Sequence, residues 1–137
     1  MANVNYSGEM LRDFGINATA DYSGSDSHGT FQFRFLQLDT ANAGNVILPA
    51  GAGQAVIGVM QNAPRLNESA QFAFIGATKV QLGGTVTVGE LLMTDANGNA
   101  VAYSAATGNV AVGYSKGAGV VGDILTMILL PNTYPHP

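Results

Sequence analysis

At 137 residues the chain is the length of one domain, long enough to bury a core without metals or disulfides, and it has no cysteine from which to make either a disulfide framework or a thiolate zinc site. Nine acids against five bases, a formal net charge of −4, leave no clustered basic surface for a phosphate backbone, and 10% charged against 47% apolar residues is a sparse surface for a free monomer. There is no basic-then-apolar leader and no run approaching the roughly 20 apolar residues of a spanning helix, so the expectation is a soluble, unexported chain with no nucleic-acid or membrane partner.

Residues 1–29 read as an extended N-terminal arm. Val4, Tyr6, Met10, Leu11, Phe14 and Ile16 keep neither a helical nor a strand period, and the stretch from Tyr22 to Gly29, YSGSDSHG, has the composition of a flexible linker. Leu11, Phe14 and Ile16 are nonetheless more apolar than a solvated tail requires, which marks them as candidate contact residues.

From Thr30 the period becomes two. Phe31, Phe33 and Phe35 alternate with Gln32 and Arg34, and the phase slips at Leu36 and Leu38, as at a bulge or where a strand changes sheets. Short strands follow at Val46–Leu48 and Gln54–Met60, the second closed by Ala63-Pro64 because proline cannot donate to a ladder. Further strands are expected at Gln71–Ile75, Thr78–Leu82, Thr85–Val88, Leu91–Thr94, Ala100–Tyr103 and Asn109–Tyr114. The last, Ile124–Leu130, is apolar on both sides of its pleat and reads as a central strand buried on both faces. Between Leu91 and Tyr103, Asp95-Ala-Asn97-Gly98-Asn99 reads as a hairpin loop. The expected fold class is all-β, a compact antiparallel β-sandwich or small barrel of short strands, with the arm at 1–29, the β-domain at 30–131 and a C-terminal tail at 132–137.

Motifs for chemistry fail on context. Gly113-Tyr-Ser115-Lys-Gly117, with Asp123 and His136 following, has the order of a hydrolase triad, but the nucleophile elbow needs a helix after the serine and this one is followed by glycine and another strand. Gly117-Ala-Gly119-Val-Val-Gly122 precedes a strand, not the helix that holds a pyrophosphate. Asp95, Asn97 and Asn99 begin like a calcium loop but have glycine at the wrong place and no closing glutamate. Asp26 and His28 lack a third metal ligand. No catalytic, cofactor or metal residue is therefore assigned, and the chain is expected not to be an enzyme.

What remains is the order of segments: GQAVIGVMQNAP from Gly53, FIGATKVQLGGTVTVGELLMTDANGNAV from Phe74, and GNVAVGYSKGAGVVGDILTMILL from Gly108. Over about Gln54–Leu130 this resembles the small head-decoration, or capsid-cement, proteins of tailed bacteriophages. The resemblance implies a structural virion protein on the outer face of an icosahedral capsid, made in the host cytoplasm, which bridges capsomers and braces the shell against packaged DNA. Its implied partners are the major capsid protein and further copies of itself, a homotrimer favoured over a dimer. Residues 1–53 lie outside the resemblance; on the arm's own apolar content, Leu11, Phe14 and Ile16 are the expected capsid contacts, by strand addition. The alternative is a β-rich receptor- or glycan-binding module of a phage tail or fibre.

Overall fold

A computed structural model describes residues 16–130. The described chain holds no helix and twelve short strands: β1 Asn17–Ala18, β2 Ser25–Asp26, β3 Gly29–Thr30, β4 Phe35–Leu38, β5 Asn45–Ile47, β6 Gly58–Met60, β7 Phe72–Ala73, β8 Gly76–Gln81, β9 Leu91–Thr94, β10 Ala100–Ala102, β11 Gly113–Ser115 and β12 Ile124–Leu129. They form two five-stranded sheets, ordered β1-β5-β4-β6-β7 and β10-β9-β11-β12-β8, plus the β2–β3 hairpin. All pairs are antiparallel except β1 with β5. The fold is all-β.

Two apolar clusters hold it together. The first is shared by the sheets: Phe35 and Val59, paired across β4 and β6, meet Val80, Leu92, Met127 and Leu129 of the second sheet. The second lies on the other side of the first sheet, where Ala18, Tyr22, Leu36, Val46, Met60 and Phe72 are buried together. Pleating explains the division, since Phe35 and Leu36, like Val59 and Met60, are sequence neighbours and so point to opposite faces.

The expected boundary between arm and domain does not fall at residue 29. Residues 16–29 lie on the second cluster because they supply apolar cover that the first sheet needs: Ala18 and Tyr22 are buried, and the Tyr22 ring packs 5.4 Å from Phe31. Their backbone is committed too, with the Ala18 N–H donating to Glu68 O at 2.8 Å and the Tyr22 N–H to Pro64 O at 2.8 Å. The Thr19 hydroxyl donates to Asp39 Oδ2 at 2.5 Å.

The alternating phenylalanines do not make one strand. Phe33 has φ of 70°, in the left-handed region that a bulky side chain rarely occupies, and this breaks the extended chain before β4. The break sends Phe31 to the second cluster while Phe33 and Phe35 go to the first. Thr85–Val88 is likewise no ladder strand; Val86 and Gly119 exchange backbone hydrogen bonds at 3.0 and 3.1 Å and the pairing ends there. The Asp95–Asn99 hairpin loop is present, with Asp95 Oδ1 accepting the N–H groups of Asn97 at 2.8 Å and Asn99 at 2.9 Å and Gly98 at φ 85°.

The strand expected to be buried on both faces is β12, and it is not. It has neighbours on both edges, β11 and β8, but Ile124 is 45% exposed and Thr126 and Ile128 are only partly buried, while Met127 and Leu129 are fully inside. The doubly covered strands are β4 and β6 instead.

Candidate contact face

Register fixes what the open side of the second sheet presents. Ala77 of β8 lies opposite Ile128 of β12, Ile128 opposite Tyr114 of β11, and Tyr114 opposite Leu91 of β9. These four make a row across four strands, with Tyr114 44% and Leu91 36% exposed. One pleat further along, Lys79 lies opposite Thr126, and on the other side the Lys116 N–H donates to Thr126 O at 2.9 Å. Both lysines are exposed. The face is thus an apolar row beside a polar row with a cation at each end.

On the opposite flank the apolar row runs into a concavity. Ile75 and Leu130, 40% and 37% exposed, line it with Phe74, Val56, Ile57, Gly58 and Leu129, enclosing about 270 Å³ between the ends of the two sheets. The lining is apolar and has no ionisable group, so this hollow accepts a hydrocarbon or aromatic side chain and offers nothing for catalysis.

The other end of the face is closed by the β2–β3 hairpin, fastened by a buried guanidinium. Arg34 is 0% exposed and all five of its N–H donors are used. Nε donates to Thr30 O at 2.8 Å, one terminal nitrogen to Asp26 Oδ2 at 3.1 Å and Asn97 O at 3.2 Å, and the other to Asp26 Oδ1 at 2.5 Å and Gly29 O at 2.8 Å. The guanidinium also sits 4.6 Å over the Phe31 ring. Arg34 therefore ties the hairpin to the Asp95–Asn99 turn.

Gln81, buried at the end of β8, makes the second tie through Nε2 to His28 O at 2.6 Å and Asn99 Oδ1 at 3.0 Å. Gly29 has φ of 107°, which favours glycine, and a Cβ there would stand 2.5 Å from the Gln81 amide nitrogen, so a side chain would have to push that amide off its hydrogen bonds. The Arg34 hydrogen bonds hold the Asp26 carboxyl down at about 2 from its ordinary 3.8. Asp39, fed by the Thr19 hydroxyl and the Asn42 amide, is likewise lowered to about 2.

Of the expected contact residues, Leu11 and Phe14 lie outside the described residues. Ile16 is partly buried against the second cluster, and its carbonyl accepts the Ala70 N–H at 2.9 Å. The hydrolase-like order is not a site: Ser115 is buried and donates to Gly117 O, Asp123 Oδ2 caps its own turn by accepting the Val120 N–H at 3.0 Å, and His136 lies outside the described residues. Among the described residues no group of three or more His, Cys, Asp or Glu side chains could hold a metal. Asp26 is occupied by Arg34, and the exposed His28 imidazole has the Ser27 hydroxyl at 3.3 Å and the same carboxylate at 3.8 Å.

Sequence reasoning missed both the Arg34 tie and the open face. A lone arginine between two phenylalanines was a usable signal for the first, since a charge inside an apolar alternation either breaks the strand or is buried with a partner. For the second, the signal was Thr126 in the middle of an otherwise apolar run.

No family model matches the chain, and no curated protein matches it. Among solved structures it is similar to the N base of the head fibre gp8.5 of bacteriophage phi29, at 18% identity and a TM-score of 0.67, over 88% of this chain and 95% of that one. At that identity the likeness establishes the fold: the chain shares its architecture, over nearly the whole of both molecules, with the base of a fibre from a phage head.

Proposed function

We propose that this chain is a structural protein of a phage virion, placed on the outer face of the capsid, where it bridges capsomers and stabilises the shell against the pressure of packaged DNA. The observation that carries the reading is the likeness in fold, across almost the full length of both chains, to the base of a phage head fibre. The resemblance of the segments from Gln54 to Leu130 to capsid-cement proteins points to the same surface of the same particle. An acidic chain with few free cations suits a position outside the shell, away from DNA.

In this reading the major capsid protein is the principal partner, and the chain works as a homo-oligomer, a trimer ahead of a dimer, so that modest contacts add up through symmetry. Leu11, Phe14 and Ile16 are proposed shell contacts, Ile16 being the one that lies among the described residues, partly buried on the second cluster. The test is cosedimentation of the purified full chain with expanded, undecorated capsids of its phage, followed by cryo-microscopy of the complex. Stoichiometric binding at symmetry-related surface positions is expected; particles that stay bare overturn the proposal. Native mass spectrometry of the same sample reads the oligomer.

A second reading, favoured by the name of the similar structure, makes this domain the base that holds a fibre on the head. It differs in one observable. Density projecting outward from the bound domain in virions supports the fibre base, and a flush cap supports cement.

A further inference from the structure

We propose that the outward face of the second sheet is the surface by which the β-domain sits on the shell, and that it takes a protein surface presenting carboxylates around an apolar centre. This rests on the reading of the chain as a head-surface protein and says which part of it docks.

An antiparallel sheet with one face in the core ordinarily turns polar residues outward. Here the row from Ala77 through Ile128 and Tyr114 to Leu91 is apolar across four strands and continues into the hollow beside Leu130. Contiguous apolar surface of this kind marks a place where another molecule is received.

Charge decides what the partner carries. The chain has five bases, Arg12, Arg34, Arg65, Lys79 and Lys116, against nine acids. Arg12 lies outside the described residues and Arg34 is buried on Asp26. Of the other three, Lys79 and Lys116 both stand on this face, on either side of Thr126. Among the described residues neither lysine is ion-paired, and the Lys79 ammonium stands 5.9 Å from the Phe33 ring; Glu90 accepts the Thr87 N–H at 2.8 Å and Asp123 the Val120 N–H at 3.0 Å. The face thus carries two exposed, unpaired cations on a negative molecule, and the complement of that pair is negative.

That charge favours an acidic partner over a second copy meeting the face symmetrically, because an isologous contact would put the same two lysines on both sides of it. The surface is also rigid, as β12 is paired along its whole length to β8 and the Arg34 and Gln81 ties close the far end. Little conformational freedom is left to lose on docking.

The test compares the full chain with Lys79→Glu/Lys116→Glu and, as a milder variant, Lys79→Gln/Lys116→Gln, for binding to undecorated capsids between about 50 and 300 mM salt. Thermal melts confirm that both variants fold. Expected are wild-type binding that weakens with salt, a loss of about tenfold or more on charge reversal, and a smaller loss in the neutral pair. Wild-type binding matched by the reversed variant overturns the face and leaves the head-surface reading standing. Loss of self-association in native mass spectrometry, with the separated chains still binding capsids, also overturns it. A wild-type chain that does not bind capsids removes both.

Discussion

Two strand pairs at the centres of the two sheets set out how the molecule divides its labour. In β4 and β6, Phe35 and Val59 face the shared core while their neighbours Leu36 and Met60 face the second cluster, so the first sheet is covered on both sides where these strands pair. In β11 and β12, Met127 and Leu129 face the shared core while Tyr114 and Ile128 form part of an apolar row with no covering layer among the described residues. The cover on the first sheet comes largely from residues 16–31, which have no counterpart over the second among the described residues. Similar strands, with similar apolar content, are buried on both faces in one sheet and on one face in the other because residues 16–31 pack on the first sheet and not on the second.

The sharpest way to break that comparison is to empty each core separately. Phe35→Ala removes a fully buried ring between the sheets and should cost about 4 kcal/mol in urea unfolding, and Leu36→Ala should cost about 3 kcal/mol in the second cluster. If Leu36→Ala costs no more than a surface substitution, residues 16–31 are not a true layer. The two losses should be felt in a single cooperative transition, since Phe35 and Leu36 are adjacent on one strand.

Next in size is the tie between the hairpin and the Asp95–Asn99 turn. Asp26→Asn leaves the Arg34 guanidinium buried with no counter-charge and should destabilise by about 3 kcal/mol, the low end for a broken buried pair because the Asp26 side is partly open to water. Arg34→Met should cost about 2 kcal/mol, since it deprives the carbonyls of Gly29, Thr30 and Asn97 of their donors but removes the charge as well. An Asp26→Asn variant as stable as the wild type would show that the hairpin is peripheral.

Acid acts through the same groups. Asp26 and Asp39 titrate at about 2 in the folded chain against 3.8 for the ordinary carboxyl, so on acidification the unfolded chain takes up protons first. Their contribution is complete above about pH 4 and is lost as the pH falls toward 2. Urea midpoints measured from pH 5 down to pH 2 should fall through that window, and the Asp26→Asn/Asp39→Asn pair should flatten the fall. A wild-type midpoint independent of pH there would remove both carboxylates from the account.

How much of this was legible in the sequence depends on how local its cause is. Leu91–Thr94 stands as read, and the Asp95–Asn99 turn was evident because Asn97-Gly98 encodes its own backbone. The interior position of β12 in its sheet was legible from its apolar run, whereas its open face was not, because periodicity reports how apolar a face is and not which other segment packs on it. Phe31 to Phe35 misled for a related reason. The alternation is real, but Arg34 turns inward to meet carbonyls at residues 29, 30 and 97, and the last of these is 63 residues away in sequence. Residues 16–29 looked like an arm because the contacts that hold them, Tyr22 on Phe31 and Thr19 on Asp39, are between elements and leave no period.

The smallest expected effect on stability belongs to the open face, and it is the one that separates scaffold from contact surface most directly. Tyr114→Thr replaces a ring that is 44% exposed with another residue suited to a strand, so its unfolding free energy should stay within about 0.5 kcal/mol of the wild type. If the face docks on a capsid, the same substitution removes the largest side chain from the middle of the apolar row, and binding should weaken by about tenfold or more. A change that spares the fold and removes the interaction is what a surface kept apolar for a partner predicts. The opposite outcome, a destabilised protein with unaltered capsid binding, would mean that the ring serves the packing of β9, β11 and β12, and the second sheet would then join the first as scaffold.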